Sequence, residues 1–178
     1  MTHSYFHPIK TTFAHLLLLT IFILSSCSND SNDSKYRSEP PTFSGLTLQS
    51  LTSGNNTIKA GEKFIITANQ QTKGRLLNKS TYSWSISPNN EGNTQKYDNL
   101  VIYDNNSVNP TDTVVINTPG TYTITFTASY NASGNTTVWS SSKGASFSEY
   151  WNDGHVTYDV RGLYGFKVTI EKKNVTIE

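Results

Sequence analysis

Past residue 42 the apolar side chains recur at every second position rather than every third or fourth, which is the spacing of strands with one buried face. The clearest run covers residues 121–130. Tyr122, Ile124, Phe126, Ala128 and Tyr130 share one face, and Thr121, Thr123, Thr125, Thr127 and Ser129 share the other. This predicts a half-buried antiparallel strand whose second face is wet. Residues 82–86 alternate in the same way, with Tyr82, Trp84 and Ile86 set against two serines. Shorter runs at 64–68, 100–103, 113–116, 156–160 and 163–170 lie between segments rich in Asn, Asp, Gly and Pro. Near the end the phase changes: Phe166, Val168 and Ile170 are even-numbered, whereas Val175 and Ile177 are odd. A turn or bulge within residues 171–174 is therefore expected, because a one-residue slip turns every side chain to the opposite face. No dozen-residue window after Cys27 carries a helical period. Seven or more short strands predict an all-β fold, an antiparallel two-sheet sandwich over residues 42–178.

The first 41 residues follow different rules. A weakly basic start is followed by about nine apolar residues from Leu16 to Leu24, where a membrane-spanning helix needs roughly 20. Residues 1–26 read as a secretory signal peptide, to be set aside from the fold. Leu24-Ser25-Ser26-Cys27 resembles the bacterial lipobox, and Cys27 is the sole cysteine. In that family the thiol is acylated and cleavage leaves the cysteine first, which implies lipidation at Cys27 by acyl chains such as palmitate. An ordinary signal peptide would leave a stray reactive thiol on an exported protein. Residues 27–41 are polar, with no apolar period and with Pro40-Pro41 at the end, and read as a disordered tether. Fully extended, that tether reaches about 50 Å. Its acidic residues close to Cys27 resemble the surface-export signals of Bacteroidetes lipoproteins, which implies an outer-membrane location facing the cell exterior.

Within the sandwich, Tyr82-Ser83-Trp84 and Pro119-Gly120-Thr121-Tyr122-Thr123-Ile124 match the Y-x-W and P-G-T-Y-x-V patterns of immunoglobulin-like domains of the polycystic-kidney-disease (PKD) type. The resemblance spans about residues 60 to 130. It implies Trp84 on the third strand, and Pro119-Gly120 at a corner where Tyr122 packs inward with its hydroxyl on backbone. The chain departs from that family after Tyr130. Some 45 further residues follow, carrying Trp139, Phe147, Tyr150, Trp151, Tyr158 and Tyr164, either as an extended hairpin or as additional strands.

Composition narrows the chemistry. Thr, Ser and Asn together make up 64 of the 178 residues, which favours strands and turns over helices. Lys10 is the only Lys or Arg before Cys27, so the chain from Cys27 has thirteen basic and thirteen acidic residues. That balance argues against nucleic acid as a partner. His155 is the one histidine after Cys27, and no Ser sits in a G-x-S-x-G elbow, so a nucleophilic triad lacks its parts. Glu149 and Asp153 are the best local carboxylate pair for glycoside hydrolysis, although their spacing is not diagnostic. Asp98, Asp104, Asn106 and Asp112 offer oxygen ligands for calcium, but ordinary turn formation also accounts for them. No cofactor or metal is expected.

The aromatic segment from Trp139 to Tyr158 supplies the sharpest binding hypothesis. Trp139, Tyr150 and Trp151 would form a platform for the apolar faces of sugars, with burial of the same rings in an enlarged core as the alternative. The six Asn-x-Ser/Thr sequons from Asn55 onward follow from the composition. Asp112-Thr113-Val114 resembles the Bacteroidetes O-glycosylation motif, which would modify Thr113. These features point to a non-enzymatic, lipid-anchored module that recognises glycan or a surface protein. The alternative is a structural subunit of a surface assembly such as a pilus, since Bacteroidetes pilins also begin as lipoproteins and Arg37 offers a trypsin-like release site. A small glycan-active enzyme is the third reading.

Overall fold

A computed structural model describes residues 36–88, 100–102 and 109–178. Contacts divide the chain into a unit spanning Met1–Asp33, outside the described residues, and a compact unit spanning Ser34–Glu178. Cys27, Asp98, Tyr103, Asp104 and Asn106 also lie outside the described residues. The described strands are β1 (Thr42–Ser50), β2 (Lys63–Thr72), β3 (Leu77–Ser87), β4 (Leu100–Ile102), β5 (Thr111–Val115) and β6 (Gly120–Ala132). A short helix α1 (Thr137–Lys143) follows, then β7 (Ser146–Trp151), β8 (Gly154–Val160), a 3-10 turn (Gly162–Tyr164) and β9 (Gly165–Ile177). The strands form two antiparallel sheets, β1-β2-β5 and β4-β3-β6-β9-β8-β7, in an open sandwich.

The period of two sets the inner faces. Tyr122, Ile124, Phe126, Ala128 and Tyr130 of β6 are buried, as are Phe166, Val168 and Ile170 of β9 and Val156 and Tyr158 of β8. Phe43, Leu46 and Leu48 of β1, Phe64, Ile66 and Ala68 of β2 and Val114 of β5 close over them from the smaller sheet. Phe126 lies at the centre of a ring cluster, with centroids 4.7 Å from Trp84, 5.5 Å from Tyr82 and 5.7 Å from Phe43.

The expected phase change in β9 is a bulge, not a turn. Ile124 pairs with Lys172 and Tyr122 with Val175, so one extra residue is absorbed on β9. Asn174 takes φ 56° there, a conformation that Asn tolerates better than most residues. Tyr122 is buried, and its hydroxyl donates to the Thr118 carbonyl at 2.8 Å, securing the corner before β6. Residues 163–164 do not belong to the strand expected over 163–170. They form the 3-10 turn that leads into β9.

The residues after Tyr130 resolve into α1 and the β7–β8 hairpin, which continues the larger sheet beyond β9. Three strands cannot cover the inner faces of six, so the widened side needs its own cover. Trp139 of α1 packs on Tyr158 and edge-on against Phe166 (6.3 and 5.6 Å between centroids), and Phe147 stacks on Tyr158. The Tyr158 hydroxyl accepts from the Phe43 amide at 3.2 Å and so ties this extension to β1.

The packed body also begins ahead of residue 42. Residues 36–41, which composition assigns to the tether, lie as a strap between two loops. Arg37 bridges Asn135, Glu39 bridges Arg75, and Ser38 is fully buried. Ser38 Oγ donates to the Leu76 carbonyl and accepts from the Gly134 amide. Gly134 allows this close approach, since a Cβ there would stand 2.4 Å from the Tyr36 carbonyl oxygen.

Burial predicts an alkaline limit to stability. It pushes the Tyr158 phenol up to about 12 and raises Tyr130 as well, next to Tyr82. An unfolded tyrosine ionises near pH 10. Between that pH and the raised value the unfolded chain has lost protons that the folded chain retains, so stability falls as pH rises through this window. Urea midpoints measured from pH 8 upward should hold level to about 10 and then drop towards 12. Tyr158→Phe should start lower, having lost its bond to Phe43, and decline less steeply. A level profile would contradict this burial.

Candidate ligand-binding face

The outer face of the larger sheet is built by register. Residues paired across an antiparallel ladder point to the same side. Ser83 pairs with Thr127, Thr127 with Thr169, Thr169 with Thr157 and Thr157 with Ser148, giving one row of hydroxyls across five strands. The last pair is hydrogen-bonded at 2.8 Å. A neighbouring row runs Ser85, Thr125, Glu171, His155, Tyr150, and another runs Thr81, Ser129, Lys167, Asp159, Ser146. Such rows repeat at about 4.8 Å between strands and about 6.8 Å along them. These side chains are half-buried or exposed, so the face is open and polar.

Tyr150 breaks the pattern. Its side chain is 77% exposed, and its ring stacks on His155 of the adjacent strand, with centroids 5.3 Å apart at 26°. His155 Nδ1 lies 3.9 Å from Glu171, which also accepts from Lys173 Nζ at 3.2 Å. An exposed aromatic surface with a carboxylate, an imidazole, an ammonium group and hydroxyls beside it suits a neutral polyhydroxylated ligand.

Of Trp139, Tyr150 and Trp151, expected either as a platform or as cover for an enlarged core, only Tyr150 is exposed. Trp139 is half-buried over Tyr158 and Phe166. Trp151 neighbours Tyr150 in the chain, and so points to the opposite side of the strand. Its half-buried ring lies over Gly45 of β1, where a Cβ would stand 3.3 Å from Trp151 Cζ2. Two of the three rings therefore wall the core, and only Tyr150 faces solvent. His155 is half-buried on β8 beneath Tyr150. The period of two could have revealed that pairing, because Trp151 and Gly154 flank a two-residue hairpin turn and Tyr150 and His155 are the next pair out.

The other singled-out residues are scattered. Asp153 at the hairpin tip is ion-paired and hydrogen-bonded to Lys172. Glu149 is exposed on β7. Asp112 accepts from the Thr113 amide, and burial raises its carboxyl above the usual range. Thr113 is exposed on β5. Among the described residues no three His, Cys, Asp or Glu side chains gather as a metal site, and no helix is long and apolar enough to cross a membrane. Arg37 is half-buried and paired to Glu39 at 2.7 Å, with Ser38 buried behind it, so the folded strap does not present that peptide bond to a protease.

Two hollows among the described residues lie elsewhere. A cleft of about 330 Å³ opens between Leu48 of β1 and the β9 bulge at Asn174. A shallower one of about 500 Å³ borders the loop 52–62. In that loop Glu62 bonds Ser50 and the Lys59 amide, and these bonds, Ser50 first, hold its carboxyl below the usual range. Neither hollow offers an exposed ring. No family model, curated protein or solved structure matches the chain.

Proposed function

We propose that the protein is a non-enzymatic, lipid-anchored module of the outer membrane that binds glycan at the cell exterior through the outer face of its larger sheet. The observation that carries this is the Tyr150 ring, exposed to solvent and held by its stack on His155. A ring fixed in advance loses little freedom when a sugar face settles on it. Glu171 lies in the same row, the Thr157 and Thr169 hydroxyls lie in the adjoining one, and Lys173 is paired to Glu171; these groups would bond the ligand's hydroxyls. The lipobox at Cys27 supports the anchored location. The adjacency of β1-β2-β5 and β3-β6-β9, with Tyr122 at its corner, supports an immunoglobulin-like reading of the sandwich. On that reading, α1 and the β7–β8 hairpin are an insertion that carries the ligand face.

The test is a glycan array probed with wild type and Tyr150→Ala. Wild type should retain a glycan, and the variant should lose at least tenfold in affinity, about 1.4 kcal/mol. Equal binding by both proteins, or no glycan retained by wild type, would sink the reading.

A further inference from the structure

Six large apolar side chains are exposed among the described residues, and four of them gather at the strap end of the sandwich. Tyr36 and Leu76 meet at the loop around Gly134: the Asn135 amide donates to the Tyr36 carbonyl, and the Ser133 amide to that of Leu76. Leu163 joins them through its carbonyl, which accepts from the Thr136 amide. Tyr164 follows it in the same 3-10 turn. Leu163 and Tyr164 are 61% and 64% exposed, although the turn's backbone is anchored by Thr136 Oγ1 on the Gly162 carbonyl. Lys73, Arg75 and Arg161 are exposed on the same loops, and Arg37 lies on the strap. Among the described residues, the acidic groups there are Glu39, paired to Arg37, and Asp159, 3.8 Å from Arg161. The described residues of this end are thus apolar and tyrosine-rich, with four cationic side chains against two carboxylates.

We propose that this end of the domain rests on the bilayer surface, with Tyr36, Leu76, Leu163 and Tyr164 in the interfacial layer and the cations facing anionic headgroups. The inference depends on lipidation at Cys27. Because the strap is docked from Tyr36, only residues 28–35 separate it from the anchor. Those eight residues span at most about 30 Å, not the 50 Å of a tether running to residue 41. The connection therefore keeps the strap end within about 30 Å of the membrane. Tyrosine suits the headgroup layer because one end of its side chain is apolar and the other polar. Basic side chains close to anionic lipid add attraction. The orientation also fits the ligand face. The β7–β8 hairpin runs back from the strap end, so Tyr150 and His155, next to its tip, lie at the end of the sandwich away from the bilayer.

Amide exchange tests this on the full lipidated chain reconstituted in vesicles of mixed phosphatidylcholine and phosphatidylglycerol. Residues 74–77 and 161–164 should exchange several-fold more slowly than in the same chain carrying Leu163→Asp and Tyr164→Asp, while the β6 and β9 amides stay unchanged. Equal exchange in the two proteins would overturn the proposal. So would protection that appears only as protein density on the vesicle rises, because that belongs to a second copy of the chain. Acyl labelling at Cys27 is scored separately: its absence would remove the anchored reading, whereas an acylated chain without protection would remove only the docked orientation.

Discussion

Phe126→Ala is expected to destabilise the domain by about 3–5 kcal/mol, the range for removing a fully buried aromatic side chain. Phe126 has no exposed surface, and its ring meets Tyr82 and Trp84 of its own sheet and Phe43 of the other. Removing it opens a void where rings from both sheets interlock, and the flanking rings are held by their strands and cannot all collapse into it. Domains of this size are stable by only about 5–15 kcal/mol, so the loss is a large fraction of the total. In urea, with a slope of about 2 kcal/mol/M, the midpoint should fall by about 2 M with the slope unchanged. A loss under about 1 kcal/mol would mean that the sheets do not close over this ring.

The same cluster shows what the sequence makes legible and why. The strand carrying Phe126 could be read to within two residues at either end, because each apolar side chain alternates with Thr or Ser. The β9 bulge could be read from its change of parity. β1 was harder, for a physical reason: Phe43 is odd-numbered while Leu46 and Leu48 are even, since Gly45 at φ 119° sits in a register shift and breaks the alternation. β7 is an edge strand with Glu149 between two inward aromatics, so its pattern is weak. The strap has no apolar period at all. Backbone bonds and one buried serine hydroxyl dock it, and hydropathy cannot register either.

The candidate site was legible in its composition but not in its geometry. The sequence places Trp139, Tyr150 and Trp151 close together, and a shared surface is the simplest inference from that. It does not reveal that Trp139 sits on a helix turned towards the core, or that a glycine in β1 leaves room for an indole from β7. Tyr150 remained as the ring in solvent because the residue across the ladder on the outer face is His155, and because nothing described covers that row.

Trp151→Ala and Tyr150→Ala should therefore separate, although the residues are adjacent. Trp151 fills the margin between the sheets, over Gly45 and beside Gly154, where a Cβ would stand 2.9 Å from its Nε1. Its loss should lower stability by about 2–4 kcal/mol, towards the lower part of the usual range because water can enter at the margin. Tyr150→Ala removes only an exposed ring and its stack on His155, so stability should change by less than about 1 kcal/mol. The glycan readout should behave in the opposite way: lost in Tyr150→Ala, and retained by Trp151→Ala under conditions where that variant remains folded. Gly45→Ala makes the test specific. In the wild type it adds backbone strain at φ 119° and crowds the indole, whereas in Trp151→Ala only the strain remains. The double variant should thus be more stable than the sum of the single losses predicts, by about 1 kcal/mol. Strict additivity, or an unchanged urea midpoint for Trp151→Ala, would mean that the indole is not a wall of the core and would return it to the ligand face.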